Sequence, residues 1–258
     1  MNQERKVMAV AMQAGHILLE NGAEIFRVEE TISRICRYYG ITSHNVFTLS
    51  NGIFVTGGST QEQYFAEVQH IPVSSSHLDR VAAVNQLSRE IEDGRYTIEE
   101  VEACLERIRM MPGKTKKAQV IAAGIGSAAF CYLYGGSFYD SAAAFLAGLA
   151  LYVFVLQVSK PHLSKIVGSI MGGAFATLAC VILYYLGIGQ HLNQMTIGAI
   201  IPLVPGVAFT NAIRDIADEN YISGSVRMLD ALLVFFCIAM GVGLVFTVFH
   251  RITGGIML

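Results

Sequence analysis

Charge is scarce beyond residue 117. Of the 38 Lys, Arg, Asp and Glu residues in this 258-residue chain, 28 lie in positions 1–117 and ten in the 141 that follow. With 53% hydrophobic and 15% charged residues overall, the chain is too apolar for one aqueous globule and too charged to lie wholly in lipid, so two regions in two solvents are expected. The start, "MNQERKVMAV", lacks the apolar h-region of a signal peptide. The five cysteines (Cys36, Cys104, Cys131, Cys180, Cys237) form no CxxC pair, and their odd, dispersed set argues against a disulfide framework. A net charge of −2 without a basic, aromatic-interleaved stripe sets nucleic acid aside as a partner. GxSxG, Walker and HExxH motifs are missing as well.

What is present after Lys114, Lys116 and Lys117 is a series of five apolar runs, at about 118–134, 138–158, 166–186, 195–213 and 228–249. Each approaches the ~20 residues that cross a hydrocarbon core. The loops alternate between basic (Lys160 and Lys165; Arg214 and Arg227) and non-basic, which puts the N-terminus inside and the C-terminus outside by the positive-inside rule, with Arg251 as an exception. Small residues at helical spacing (Gly124 and Gly126, Ala144 and Gly148, Gly168 and Gly172, Ser169 and Gly173) are expected at helix–helix contacts. They support a bundle and leave a homo-oligomer open.

The fourth run, "GAIIPLVPGVAFTNAIRD", is interrupted. Pro202 cannot donate to the carbonyl of Gly198, nor Pro205 to that of Ile201, and Gly206 adds backbone freedom. Two carbonyls should be released, and a new half-helix with a positive dipole end should begin. Such broken helices build substrate sites in transporters, although a proline kink without a ligand satisfies the same letters. Pro202, Pro205, Gly206, Thr210 and Asn211 are therefore candidates for substrate binding or gating. Asp215, Asp230 and Asp140 are ion-coupling candidates, because acids within a membrane are functional by default. Asp215 also has Arg214 and Arg227 close by as structural partners.

Residues 1–112 read as an α+β cytoplasmic domain, followed by a five-helix transmembrane bundle in 113–258. Val7, Val10, Ala14 and Leu18, and then Ile25, Val28, Ile32, Ile35 and Tyr39, follow helical spacing, and Asn21-Gly22 should end the first helix. Strands are expected around Phe47–Leu49, Ile53–Thr56 and Tyr64–Ile71, with Asn51-Gly52 as a turn or bulge and a loop over Gly57–Gln63. Two helices follow, one opened by Ser76 and the other by a Thr97/Glu100 capping box. His70, His77 and Glu67 straddle a strand end and a helix start and make a poor metal set. Neither metal nor cofactor is implied. Glu24, Arg27 and Glu29 crowd a helix start, where a solvated face with weak local ion pairs is the plain reading.

At "ENGAEIFRVEETISRI", "SNGIFVT" and "PLVPGVAFTNAIRDI" the chain resembles the threonine/serine exporter family, from about Met12 to Phe249. The family's "G-x-E-x-x-R-V-E" segment maps onto Gly22, Glu24, Arg27, Val28 and Glu29, and its "P-x-x-P-G" onto Pro202, Pro205 and Gly206. Fused members continue into a second membrane half, whereas this sequence stops at Leu258. The resemblance therefore implies the larger subunit of the split, two-gene form, with a small membrane protein as partner. It also implies gradient-driven export of threonine, serine or a C4-dicarboxylate such as succinate from the cell membrane.

The function expected is thus a subunit of a secondary exporter of a small carboxylate-bearing metabolite, embedded in membrane lipid. A membrane-anchored enzyme with its active site in residues 1–112 is the alternative, and a sensor is a third reading. Short outside loops and the missing nucleophile or metal cluster count against these two.

Overall fold

The computed structural model describes residues 3–59, 62–72, 77–158 and 164–253. Ser76 and Lys160, used above for a helix start and for orientation, lie outside them, as do Thr60 and Gln61 in the expected loop. The chain divides into two compact units: residues 1–113 with 207–229, and residues 114–206 with 230–258.

The first unit is built around α1 (Gln3–Glu20). Its buried residues include Val7, Met8, Ala11, Met12, Ala14, Leu18 and Leu19, more than one stripe can hold, so the helix is central and not amphipathic. It ends where Gly22 takes a φ of +80°, a conformation that only glycine adopts cheaply. Next comes α2 (Ile25–Tyr38), which buries Ile25, Val28, Ile32 and Ile35 on one face, as their spacing predicts. The strands β1 (His44–Leu49), β2 (Gly52–Ser59) and β3 (Glu62–His70) form an antiparallel meander in the order β1-β2-β3. Leu49 pairs with Gly52, so the hairpin turns through Ser50 and Asn51. Ile53 and Val55 point inward and are buried; Phe47, Phe54 and Val68 make an exposed row on the other face. Then α3 (Leu78–Glu92) and α4 (Ile98–Arg109) close the core, and α4 opens with the expected Thr97/Glu100 capping box.

The second unit holds α5 (Lys116–Leu133), α6 (Phe138–Val158), α7 (Lys165–Tyr185) and α8 (Leu192–Ile200). A 3-10 turn (Ile201–Leu203) follows α8, and the helices α9 (Gly206–Ala217) and α10 (Tyr221–Thr253) are the last among the described residues. The core of the second unit is built from small and sulfur-bearing residues: Ala143, Ala147, Ala176, Cys180, Met195 and Ala199, with Leu151. Such residues let backbones close up. A Cβ on Gly173 would sit 2.5 Å from the carbonyl oxygen of Ile238, and one on Gly241 would collide with that of Ile170, so α7 and α10 cross in near backbone contact. Gly124, Gly148 and Gly172 also face neighbours, while Gly126 and Gly168 have open space beside them.

This architecture overturns the expectation of an α+β domain followed by a five-helix bundle. Among the described residues there are ten α-helices and one small three-stranded sheet, and three helices are long and apolar enough to cross a membrane: α6, α7 and α10. A fourth is reached only by joining the broken pair α8 and α9. The run at 118–134 fails because α5 spends its start on Lys116, Lys117 and Gln119, leaving about 14 apolar residues, ~21 Å at 1.5 Å per residue. The N-terminal part does not stand alone either, since residues 207–229 cluster with it.

Candidate functional site

The break falls where the prolines put it, but its carbonyls are not left open. The N–H of Ile201 reaches the carbonyl of Gly198, and the N–H of Val204 reaches that of Ile201 at 3.0 Å. Both acceptors expected to be free are thus taken up by i+3 bonds, the usual way a helix end tightens into 3-10 form. After Val204 and Pro205 the chain restarts as α9 at Gly206.

Within the first unit, the other side of that restart meets the "G-x-E-x-x-R-V-E" segment. On α9, Asn211, Ala212 and Asp215 share a face by their i, i+1, i+4 spacing, and Asp215 is 1% exposed. Helix α2 has no side-chain cap of its own, because Glu24 occupies its N-cap without bonding back. Asp215 supplies the cap from a distance: its Oδ1 accepts the N–H of Ile25 at 3.0 Å, placing a carboxylate at the positive end of α2. Its Oδ2 accepts from Arg227 Nη1 at 2.7 Å, and the same nitrogen donates to the carbonyl of Ala23 at 3.1 Å. Asn211 donates to the carbonyl of Gly22 at 2.7 Å.

Around this centre the charges alternate. Glu24 bridges Arg27, at 2.9 Å, and Arg214, and its side chain is only 13% exposed. The cluster therefore holds three guanidiniums (Arg27, Arg214, Arg227) against two carboxylates (Glu24, Asp215). Arg227 Nη2 is buried with no hydrogen-bond partner among the described residues, and Asn21 Oδ1 is in the same state beside Gly22. Glu29 stands apart: it accepts the N–H of Thr48 at 2.7 Å, and burial raises its carboxyl above the ordinary range while that bond pulls the other way. The dense charges at the α2 start are thus tied into a network and are not a plain solvated face.

The remaining candidates lie elsewhere. Thr210 is exposed on α9. Asp230 pairs with Lys165 in the second unit, with both side chains more than half exposed. Asp140 is fully buried. It closes a capping box with Ser137 and accepts the N–H groups of Gln190 and His191 at 2.5 and 2.9 Å, while His191 Nδ1 lies 2.8 Å from its Oδ2. That carboxylate joins the starts of α6 and α8. A cavity of about 800 Å³ opens beside His191, His250 and Arg251. No cluster of His, Cys, Asp and Glu suited to a metal occurs among the described residues.

Within the first unit the "G-x-E-x-x-R-V-E" segment and α9 meet at Asp215. Residues 9–249 match the profile of ThrE, the threonine/serine exporter family. The chain belongs to that family. It is 23% identical over 250 residues to the "Threonine/serine exporter" of Corynebacterium glutamicum, covering 94% of this chain and 51% of that one. It is 25% identical over 264 residues to the "Probable succinate transporter subunit YjjP" of Escherichia coli K12, covering 95% and 96%. The chain thus spans about half the length of the first relative and nearly all of the second. No solved structure matches. Family and apolar helices together make it a multi-pass membrane protein.

What the sequence missed is the capping of α2 by Asp215 across the chain and the pairing of Arg214 with Glu24. Local letters gave one usable signal: a helix start at Ile25 with no Ser, Thr, Asp or Asn before it needs a cap from somewhere.

Proposed function

We propose that this chain is a subunit of a secondary exporter that carries a small carboxylate-bearing metabolite, threonine, serine or a C4-dicarboxylate such as succinate. The observation that carries the reading is the buried, unpartnered Nη2 of Arg227 in a cluster with one more guanidinium than carboxylate. A carboxylate arriving there would satisfy that donor and balance the charge, whereas an unpaired buried donor costs about 1–3 kcal/mol. The dipole end of α9 at Gly206 favours the same ligand chemistry. In this reading Pro202, Pro205 and Gly206 form the flexible gate, and within the first unit Asn211 and Asp215 tie α9 to the Gly22–Glu29 segment. On the same reading the N-terminal part lies on the cytoplasmic side of the cell membrane, which the basic Lys114, Lys116 and Lys117 support. The Escherichia coli relative is named a subunit, which supports a partner protein, in this reading a small membrane protein, completing the exporter.

Counterflow in vesicles tests this. The chain is reconstituted with and without that small partner, and labelled threonine, serine and succinate are offered separately. At least one should exchange in the presence of both proteins, and Pro205→Ala with Gly206→Ala should abolish exchange in a protein that still folds. No exchange of any of the three, or full exchange by the double variant, would sink the transport site.

A further inference from the structure

The first unit carries a second polar site that the exporter reading does not use. Strand β3 is an edge of the sheet. Its Gln69 pairs with Ile53, and its Glu67 with Val55. Directly opposed residues project to the same face, and Ile53 and Val55 are 0% and 1% exposed, with Ile53 turned toward Gly15 of α1. Glu67 and Gln69 therefore occupy core-facing positions where an apolar pair would be ordinary. In place of apolar packing there is a cavity of about 530 Å³, bounded by Gln13 and His16 of α1, by Glu67, Gln69 and His70 of β3, and by Arg109 at the end of α4. A single water has about 30 Å³ as its share of the liquid, so the space admits a small solute with its hydration.

The polar groups are already oriented. Gln69 Nε2 donates to Glu67 Oε1 at 2.6 Å, which leaves Gln69 Oε1 as acceptor, and His16 Nδ1 lies 2.9 Å from it. His16 must then carry its proton on Nδ1 and turn Nε2 outward. This relay fixes one carboxylate at one wall of the cavity. The opposite charge comes from the exposed Arg109, whose side chain has no ion pair or hydrogen bond among the described residues, and His70 adds a second ring, this one unbonded among them. An anionic group next to a planar guanidinium gains paired hydrogen bonds, and an ammonium next to Glu67 gains the complementary charge. A dicarboxylate would bring its second charge against Glu67, and a simple amine would leave Arg109 unused.

We propose that this cavity binds the zwitterionic head of a small α-amino acid, its carboxylate on Arg109 and its ammonium on Glu67. It is a site separate from the Arg227 cluster and would load or regulate the protein, not conduct the solute. Polar residues facing inward on an edge strand also discourage strand pairing between chains, but that role asks for neither a cavity nor an unpaired arginine.

The chain contains no tryptophan, so Ala9→Trp places a single emitter at the rim of this cavity, where Ala9 is exposed. In the full chain, held in lipid nanodiscs, L-serine and L-threonine should change its emission saturably, and succinate and serine methyl ester should not. Adding Arg109→Gln or Glu67→Gln should weaken the response at least tenfold with the thermal midpoint unchanged. Equilibrium dialysis of labelled serine against the tryptophan-free chain and its Glu67→Gln variant gives the same comparison if the reporter disturbs folding. A flat response up to 10 mM amino acid (about 10⁴ times a micromolar Kd, far past saturation), or equal curves with and without Arg109, would overturn the proposal. Counterflow that persists in Arg109→Gln would leave the exporter reading intact, so the two ideas fail separately.

Discussion

Asn211 donates its side-chain amide to the carbonyl of Gly22 across 2.7 Å, although 189 positions separate them. That bond joins the two segments that mark the family, and Asp215 repeats the connection one turn later through the N–H of Ile25. Asn211→Ala should strand the Gly22 carbonyl at a cost of about 1–2 kcal/mol, in the range of a lost bond to a partly buried acceptor. Thermal unfolding in detergent reads that loss. Asn211→Asp should be worse, since its charged form has no hydrogen to give.

Asp215 and Arg227 are both largely buried, so removing one partner leaves the other charge stranded. Arg227→Met should destabilise by about 3–5 kcal/mol, and Asp215→Asn by less because the amide oxygen still accepts from Ile25. The double variant should cost clearly less than the two single losses combined. Strict additivity in unfolding measurements would show that the pair is not coupled.

Glu29 supplies a pH signature. Its carboxyl titrates above the ordinary range in the folded state because burial disfavours the charge. A raised folded value means that stability is fully present below the unfolded value and is lost as pH rises through the folded one. Glu29→Gln still accepts from Thr48 and cannot ionise. It should therefore gain on the parent in melting temperature between pH 4 and pH 8, with the gap widening upward. A gap that is constant with pH would contradict the assignment.

At the α7–α10 crossing, Gly241→Ala forces a methyl into the backbone of Ile170, whereas Gly243 has open space beside it. Overpacking of this kind costs typically 1–3 kcal/mol. Gly243→Ala should stay within about 0.5 kcal/mol of the parent. Comparing the two in one detergent separates helix crossing from helix propensity.

Asp140 should behave as structure. Asp140→Ala removes the acceptor for Ser137, Gln190 and His191 together, so a loss of about 2–3 kcal/mol is expected. Flux through Asp140→Asn that survives should keep the pH profile of the parent. A shifted profile would return Asp140 to the ion-coupling set.

The sequence made the helix break legible because proline lacks a donor wherever it stands. It made the α2 face legible because Ile25, Val28, Ile32 and Ile35 repeat at helical spacing. It failed at α5, where the run at 118–134 was expected to span but the helix takes in Lys116, Lys117 and Gln119 at its start. It also failed at residues 207–229, which follow their Asn211, Asp215 and Arg227 partners into the first unit and not their apolar neighbours. Cross-chain bonds such as Asp215 to Ile25 leave no periodic trace, because a cap needs one oxygen and can come from any distance. The fate of the Gly198 and Ile201 carbonyls was equally hidden, since tightening by one residue changes no letter.

The inward-facing Glu67 and Gln69 have one more consequence, for the chain before it reaches its membrane. A rim strand carrying Val68 on its outer side, beside Phe54 of the central strand, could recruit the same strand of another molecule, and an apolar inner side would strengthen the invitation. An inward-facing carboxylate makes such stacking electrostatically expensive, so filling the hollow with leucine would trade a polar chamber for a tendency to clump.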